Sequence, residues 1–367
     1  MKALFMIPSL GAGGAERALT QLANALSERI DVSILTLFKE GKYIQELNQD
    51  IHYSYVFKKV FRGNIHIFKL FSPEFLFKRM IKGHYDVIVS YLEGPTTRIV
   101  SGCKDPSVKI INWVHTAATN KDVFLKSYRN EAEFVKCMNK YETTVFVAQT
   151  AQKAFEEQFN ISLPHETVVY NPIDNERILK QSMENTDVTL PANSFNIVTV
   201  GRLSKVKGFD RLIDICAELK KKANIHLYIV GNGGEENSLK ERVAALKAES
   251  YVSFLGFRSN PFPIVKQASL YVCSSYREGY STSVIEALVL GVPVVTTECS
   301  GMREILGEGI EYGVITENSD RGLLCGLEKM ITDDAFYEKI KEKTRERGKM
   351  FNLRDGIEKT LLVLSGE

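Results

Sequence analysis

Short apolar runs alternate with amphipathic, helix-like stretches along the whole chain. In the first half the runs predict strands at 2–7, 32–38, 86–91, 109–114, 144–148 and 167–170. In the second half they predict strands at 195–200, 226–230, 252–255, 270–274 and 293–297. Strands without polar alternation are buried on both faces, which is typical of parallel sheets with crossover helices. The pattern therefore predicts an α/β fold.

The chain is long enough for two such sheets. Its 367 residues exceed the usual size of one domain, so two domains with separate cores are expected. We place the first domain at 1–175 and the second at 176–349, each a Rossmann-like parallel sheet. The polar stretch 181–193, which contains Pro191, is typical of a linker.

Composition excludes several classes of protein. The net charge is only +2, so no nucleic-acid partner is expected. Six scattered cysteines have no paired spacing, which favours reduced, buried thiols in a cytoplasmic protein over disulfides or a zinc site. These cysteines are Cys103, Cys137, Cys216, Cys273, Cys299 and Cys325. The first seven residues are too short for a signal-peptide core, and no apolar stretch approaches the roughly 20 residues of a membrane span.

The segment 58–82 breaks the alternation because it mixes basic and apolar residues. The basic residues are Lys58, Lys59, Arg62, Lys69, Lys78, Arg79 and Lys82. The apolar residues are Phe61, Ile65, Ile67, Phe68, Leu70, Phe71, Phe75, Leu76 and Phe77. We favour contact with the inner face of an anionic membrane, because one buried stripe needs fewer aromatic residues. The alternatives are a core-packed helix with a solvated basic face, and a site for the diphosphate of a lipid-linked ligand.

The loop and helix start at 278–286 carry the strongest chemical signal. They follow a buried strand, and the end of a parallel strand that leads into a helix is where α/β folds bind ligands. Free amide groups and the helix dipole favour an anion such as a diphosphate there. Glu278 and Glu286 lie on either side of the turn and can accept hydrogen bonds from two sets of hydroxyls. A nucleotide sugar has both features.

Two further glycine-rich turns agree with a diphosphate ligand. Arg202 and Lys207 follow the strand 195–200 and can bind phosphate oxygens. The turn 11–17 joins the first strand to the first helix, and its Gly13 and Gly14 would allow close approach to phosphates. Its spacing does not match the dinucleotide fingerprint. No Asp-x-Asp pair or cluster of metal-ligand residues is present, so no metal site is predicted.

Together these segments resemble retaining glycosyltransferase family 4, which has the GT-B fold. Glu278 and Glu286, separated by seven residues, match the family's paired glutamates. The segments 171–174, 201–203, 207–208 and 291–295 also match family motifs. The segment 13–17 is similar to the opening loop of the family's polysaccharide-building branch. The resemblance implies two Rossmann-like domains that face each other across a cleft. It also implies an acceptor-side first domain completed by the C-terminal helix 350–367, and a second domain that binds the nucleotide sugar.

The resemblance also implies roles for individual residues. Arg202 and Lys207 would neutralise the leaving diphosphate, Glu278 would contact the hexose, and Glu286 the ribose. His115, at the end of strand 109–114, would reach the hexose from the first domain. Further donor-binding candidates are Gly13, Gly14, Gly201, Gly279, Tyr280, Ser281, Thr282, Phe257 and Arg258, the last two near the base. Candidates for acceptor contacts are Glu16 and Arg17, with Asn112 and 91–94 as further strand-end residues. Ser281 stands where many members have glycine.

The expected function is transfer of a hexose, with retention, from a UDP-hexose or UDP-N-acetylhexosamine. The donor is a substrate, so no cofactor is expected. The acceptor would be a lipid-linked saccharide of a capsule, exopolysaccharide or lipopolysaccharide, as the match at 13–17 and the segment 58–82 indicate. Two alternatives remain: a sugar-nucleotide epimerase of the same fold, and a catalytically silent partner subunit of a transferase.

Overall fold

The structure is a computed structural model that describes residues 1–11, 13–61, 63–118 and 120–366. Arg62 of the basic segment and position 12 of the first glycine-rich turn lie outside this range, as does the side chain of Ile65. The chain divides into two compact units. One contains residues 1–172 and the C-terminal residues from Arg354 onward, and the other is Ile173–Leu353. The predicted boundaries were 175 and 350.

The first unit is an alternation of strands and helices. Its strands are β1 (Lys2–Ile7), β2 (Asp31–Phe38), β3 (His52–Phe57), β4 (Val87–Ser90), β5 (Lys109–Val114), β6 (Thr143–Phe146) and β7 (Glu166–Val168). Its helices are α1 (Gly14–Leu26), α2 (Asn64–Leu70), α3 (Pro73–Met80), α4 (Pro95–Val100), α5 (Lys121–Leu125), α6 (Glu131–Met138) and α7 (Gln149–Phe159). A 3₁₀ turn lies at Lys42–Glu46.

The strands of the first unit form one parallel sheet in the order β3-β2-β1-β4-β5-β6-β7. The central strands are buried on both sides, as their continuous apolar runs predict. The strand order reverses between β1 and β4, which places the turn before α1 and the loop before α4 at the switch point.

The second unit repeats this organisation. Its helices are α8 (Asn175–Gln181), α9 (Phe209–Leu219), α10 (Glu236–Ala245), α11 (Phe262–Val265), α12 (Thr282–Val289), α13 (Met302–Leu306), α14 (Asp320–Thr332) and α15 (Asp334–Gly348). Its strands are β8 (Phe195–Val200), β9 (Ile225–Val230), β10 (Val252–Gly256), β11 (Leu270–Cys273), β12 (Val294–Thr297) and β13 (Val314–Thr316). The helix α16 (Leu353–Ser365) follows and begins at the boundary with the first unit.

The second sheet is also parallel, in the order β10-β9-β8-β11-β12-β13. Neighbouring residues of β8 enter different core layers: Ile197 packs with α9, α10 and α14, and Val198 packs with α8, α12 and α13. The sheet is therefore covered on both faces, and the α/β prediction with two Rossmann-like sheets is confirmed.

Two strands were not predicted from the sequence. β3 is an edge strand whose side chains are only half-buried, so it lacks the continuous apolar run of a central strand. β13 has only three residues. Both lie at sheet edges, where burial constrains the sequence least.

The segment 181–193, predicted as a linker, is instead part of the second unit. Leu190 is buried in its core, and its N–H donates to Gln267 Oε1 at 3.1 Å. Asp187 forms an ion pair with Arg258 at 2.8 Å. These contacts could not be predicted from the polar composition, because they are made by a backbone N–H and by a surface ion pair.

Among the described residues, none of the helices combines the length and the apolar character needed to cross a bilayer.

Candidate functional site

The donor-site candidates of the second unit lie at its topological switch point. β8 pairs with β9 on one side and with β11 on the other. The chain after β8 leads to α9 in one core layer, and the chain after β11 leads to α12 in the other layer. Ligands of parallel α/β sheets bind where neighbouring connections diverge in this way. The pattern of apolar strands had placed Lys207 and Glu278 on these two loops.

Three interactions join the two loops directly. Ser274 Oγ donates to the carbonyl of Lys207 at 3.0 Å, and the N–H of Tyr276 donates to the carbonyl of Val206 at 2.8 Å. The Lys207 ammonium donates to Glu278 Oε1 at 2.6 Å. The loops therefore form one structure, and the predicted cation lies against the predicted carboxylate.

Gly208 allows this close approach. Its φ is +60°, a conformation that side chains disfavour, and a Cβ at this position would lie 2.2 Å from the carbonyl oxygen of Ser274. Any larger residue would push the two loops apart. The close packing of the two loops therefore explains why glycine stands at position 208.

The Lys207–Glu278 pair has a distinct electrostatic environment. Burial by itself lowers the pKa of the Lys207 ammonium, but the charge of Glu278 and the hydrogen bond to it outweigh this, so the pKa is raised. Ser275 Oγ also donates to Glu278 Oε1, at 2.5 Å. The Lys207 side chain is therefore positively charged at neutral pH. Its ammonium group is oriented by the Glu278 carboxylate, which is held in turn by Ser275.

Arg211, in the first turns of α9, holds the loop that carries Glu278. It is buried, and its guanidinium donates to the carbonyl of Ser274 at 2.8 Å and to that of Ser275 at 2.9 Å. It also contacts Asn318 Oδ1 at 2.9 Å and lies 3.9 Å from the ring centre of Tyr276. Sequence reasoning missed this residue, since an arginine early in an amphipathic helix is usually solvent-exposed.

The second glutamate and its helix lie next to this loop. Glu286 is in the second turn of α12 and only 7% exposed. Ser281 is the N-terminal cap residue, and its side chain does not bond the described amides of the first turn. A Cβ on Gly301 would lie 2.5 Å from the carbonyl oxygen of Gly279, so the chain after β12 packs closely against this turn. Amide groups at such a helix start favour an anion.

The remaining predicted donor residues are less closely grouped. Arg202 is exposed at the end of β8, where Gly201 and Gly231 approach so closely that a Cβ on Gly231 would lie 1.9 Å from Gly201 O. Phe257 and Arg258 follow β10, the edge strand two positions from β8. Because Arg258 pairs with Asp187 and also donates to Leu255 O at 3.2 Å, its side chain supports the loop after its own strand.

In the first unit, the predicted residues gather at the switch point of its own sheet. Gly13 precedes α1, and Gly14 and Arg17 lie in its first turn. A Cβ on Gly13 would lie 2.1 Å from Glu16 Oε2, so the carboxylate folds back over the helix start. An acidic side chain there is stabilised by the helix dipole, which is a structural role for Glu16.

His115 follows β5 and has an unusual environment. Its backbone N–H donates to Glu93 Oε2 at 2.9 Å, and its ring lies 4.6 Å from that of Tyr91. Burial lowers the pKa of the imidazole to about 3, so the ring is neutral at physiological pH. Its Nε2 is buried and has no hydrogen-bond partner among the described residues. A neutral imidazole donates one hydrogen bond through its N–H and accepts one at its other nitrogen, but it does not act as a general acid at neutral pH.

Asn112, a further strand-end candidate, is part of the core instead. It is buried, and its Oδ1 accepts a hydrogen bond from Thr97 Oγ1 at 3.1 Å. Acceptor contact through this side chain would require breaking a buried bond, so the structure gives no support to the prediction for Asn112.

The segment 58–82 divides its apolar residues between core and surface. Phe68 and Leu76 are buried, and Phe61 packs against Phe57 and Phe68. Ile67, Leu70, Phe71 and Phe75 are exposed, and the rings of Phe71 and Phe75 stack at 5.1 Å. The exposed basic residues described around them are Lys58, Lys59, Lys78, Arg79 and Lys82.

Two arginines outside the segment hold it in place. Arg98 donates to the carbonyls of Phe68 and Phe71 at 2.9 and 2.8 Å. Arg129 donates to the carbonyls of Lys69 and Leu70 at 2.7 and 3.2 Å. The end of α2 is thereby bonded through consecutive carbonyls, and the exposed apolar side chains project from a fixed backbone.

Within the described chain, no group of three or more His, Cys, Asp or Glu side chains is placed to hold a metal ion.

Two family models match the chain. Residues 12–177 match Glycosyltransferase Family 4, and residues 183–347 match Glycosyl transferases group 1. A Campylobacter jejuni relative is 28% identical over 94% of both chains. It is the N-acetylgalactosamine-N,N'-diacetylbacillosaminyl-diphospho-undecaprenol 4-alpha-N-acetylgalactosaminyltransferase.

Solved structures agree on the fold. Anabaena HepE in complex with UDP-glucose superposes with a TM-score of 0.78 at 20% identity, and all of both chains is covered. Sucrose-phosphate synthase from Thermosynechococcus elongatus gives a TM-score of 0.80 at 16% identity, over 100% of this chain and 99% of the other. With the two family matches, these findings establish that the chain is a family 4 glycosyltransferase of the GT-B fold.

Proposed function

We propose that the enzyme transfers a hexosyl or N-acetylhexosaminyl group from a UDP-sugar to a lipid-linked saccharide, with retention of configuration. The Lys207–Glu278 pair at the switch point carries this proposal. A cation for a diphosphate and a carboxylate for sugar hydroxyls are the two groups that a nucleotide sugar requires. The acceptor in the name of the Campylobacter jejuni relative, a saccharide on diphospho-undecaprenol, supports the lipid-linked acceptor. The UDP-glucose bound to HepE supports the donor.

In the proposed reaction, the bond from the anomeric carbon to the β-phosphate oxygen breaks. The acceptor oxygen bonds to the same face of that carbon, and its proton passes to the leaving phosphate oxygen. Negative charge grows on that phosphate in the transition state, and Lys207 and Arg202 stabilise it. The protein holds the reactants in position and supplies fixed charge, without a protein nucleophile.

We propose the other donor contacts from the family resemblance and from where these residues lie. The amides at the start of α12 bind a diphosphate oxygen, Glu286 accepts from the ribose, and Glu278 accepts from the hexose. In the first unit, His115 offers its neutral ring to a sugar hydroxyl, and its buried Nε2 supports this role. Arg17 remains our candidate for acceptor contact.

Arg202→Ala is expected to lower turnover by about a hundred-fold, because it removes one cation from the leaving phosphate. Arg202 is exposed, so the melting temperature of the unliganded protein should not change. Initial rates with a panel of UDP- and GDP-sugars identify the donor and measure the loss of turnover in the variant. A near-normal rate in the variant would exclude the diphosphate role of Arg202. Conversion of a UDP-sugar without any acceptor would point to an epimerase instead.

Activity should not depend on an added divalent ion, because side-chain cations are proposed to supply the charge on the phosphate. Initial rates in excess EDTA are compared with rates in magnesium or manganese. Turnover that is lost on chelation and restored by either metal would contradict this assignment.

We also propose that the segment 58–82 places the enzyme on an anionic membrane, where a lipid-linked acceptor resides. The exposed Leu70, Phe71 and Phe75 can enter the interface, and the surrounding basic residues attract acidic headgroups. Arg98 and Arg129 bond the carbonyls of Phe71 and Leu70 at the end of α2, and the ring of Phe75 on α3 stacks on that of Phe71.

Leu70→Ser with Phe75→Ser should reduce binding to vesicles of phosphatidylglycerol and phosphatidylcholine by about ten-fold or more, since both side chains are more than half exposed. Co-sedimentation measures bound protein. The matched control is Met183→Ser, because Met183 is 74% exposed and Leu70 is 75% exposed. Equal losses in the control and the double variant would exclude this surface.

A further inference from the structure

The second unit contains a cavity that the donor proposal does not use. The 3₁₀ turn Lys205–Lys207 and the starts of α9 and α10 surround a volume of about 580 Å³. Small-molecule sites typically occupy roughly 300–1,000 Å³. Its floor is apolar and includes Phe209 and Leu239. The cavity is therefore large enough for a saccharide of one or two units.

This cavity is separate from the donor site. Phe209 and Leu239 belong to the core layer of α9 and α10, whereas the helix α12 after Glu278 belongs to the other layer. Lys205 and Val206 line the cavity, but within the described chain neither Lys207 nor Glu278 does. The same short turn thus has the donor residue on one side and this cavity on the other.

An aromatic wall is the first recognition feature. Tyr276 lines the cavity and is 43% exposed. The guanidinium of the buried Arg211 covers one face of its ring, at 3.9 Å from the ring centre, so the exposed part is the opposite face and edge. The C–H groups of a pyranose carry slight positive charge and pack on such an electron-rich face. Arg211 also fixes the angle of the ring.

The charges around the cavity are the second feature. Asp210 and Glu235 contribute two carboxylates, and Lys205 and Arg277 contribute two cations. Arg242 also lines it but is bonded to Asp214, with Nε donating to Oδ1 at 2.6 Å. The formal charges cancel, so the site has no net attraction for an anion or a cation. It presents both acceptors and donors, which suits a neutral ligand with many hydroxyls.

We propose that this cavity is a second saccharide-binding site, which takes a neutral sugar unit stacked on Tyr276 with its hydroxyls bonded to Asp210 and Glu235. The proposal does not depend on the identity of the donor. Because the N–H of Tyr276 bonds to Val206, a bound sugar would contact the turn that carries Lys207.

The test is saturation-transfer NMR on the full chain, with excess UDP present. The probes are maltotriose, triacetylchitotriose and α-1,4-linked galactotriose, and the charged comparison is the glucosamine trimer. At least one neutral trisaccharide should bind at about 10 mM or below, and the glucosamine trimer should bind less well. Tyr276→Ala should weaken binding by about ten-fold, whereas Tyr276→Phe should retain it.

A second variant is needed, because Tyr276→Ala also exposes the guanidinium of Arg211 and could weaken binding indirectly. Ser238 is exposed at the cavity edge on α10, so Ser238→Trp should fill the cavity without disturbing the core. Lys207→Met should weaken UDP binding and leave trisaccharide binding unchanged. Three outcomes would each overturn the proposal: no neutral trisaccharide binds, binding survives both cavity variants, or the glucosamine trimer binds more tightly than its acetylated form.

Discussion

Replacing Lys207 with methionine should lower turnover by about a hundred-fold or more, the largest catalytic effect that we expect in this chain. Methionine keeps much of the length and apolar contact of lysine but removes the charge that we propose faces the leaving phosphate. The variant also leaves Glu278 without its cation at 2.6 Å, so donor affinity should fall as well. Steady-state rates and UDP titrations separate the two effects.

The control for this prediction is Lys222→Met. Lys222 forms an ion pair with Glu328 at 2.7 Å on the surface of the same unit, so the chemical change is the same. Its turnover should match that of the unaltered enzyme, because exposed pairs contribute little. Glu278→Gln should combine with Lys207→Met less than additively, since the residues act as one unit. Near-normal turnover in Lys207→Met would remove the basis of the donor assignment.

Arg211→Met should have the largest effect on stability, and we expect it to lower the free energy of unfolding by about 3 kcal/mol. The variant leaves the carbonyls of Ser274 and Ser275 buried without their charged donor. Because these carbonyls precede Glu278, the loop should also lose its fixed position. The KM for the UDP-sugar should therefore rise at temperatures where the fold remains intact. Urea unfolding gives the first quantity and steady-state kinetics the second.

Two variants separate positioning from a general loss of structure. Arg303→Met removes an exposed arginine paired with Glu298 and Glu308, and should change neither the unfolding midpoint nor the KM appreciably. Arg211→Lys keeps the charge but not the planar fork, so it should restore part of the stability and less of the donor affinity. An unchanged KM in Arg211→Met, with stability lowered, would leave Arg211 with a structural role alone.

The central strands could be predicted from sequence because burial on both faces requires continuous apolar runs. β5 and β8 begin and end at the predicted residues. The edge strands β3 and β13 were not predicted, because the side chains of β3 are only half-buried and β13 has only three residues. Burial constrains every residue of a central strand but only part of an edge strand.

The candidate site could be predicted only in part. Lys207 and Glu278 follow strands on a recognisable motif, and the fold brings them into contact. Arg211 could not be assigned, because it acts on backbone carbonyls of a segment distant in sequence. Ser275 could not be assigned either, because a serine three residues before a glutamate is not a recognisable signal. The role of Glu16 could not be predicted, because a carboxylate in the first turn of a helix can either stabilise the helix dipole or bind a ligand.

For the proposed membrane contact, the bonding of α2 by Arg98 and Arg129 has a thermodynamic consequence. A peptide that becomes ordered only at the interface must spend part of its insertion energy on lost backbone freedom. In this protein the backbone of α2 is already ordered when the domain folds, before it contacts lipid. Adsorption should then proceed with little change in helix content, and its strength should follow apolar area and surface charge alone.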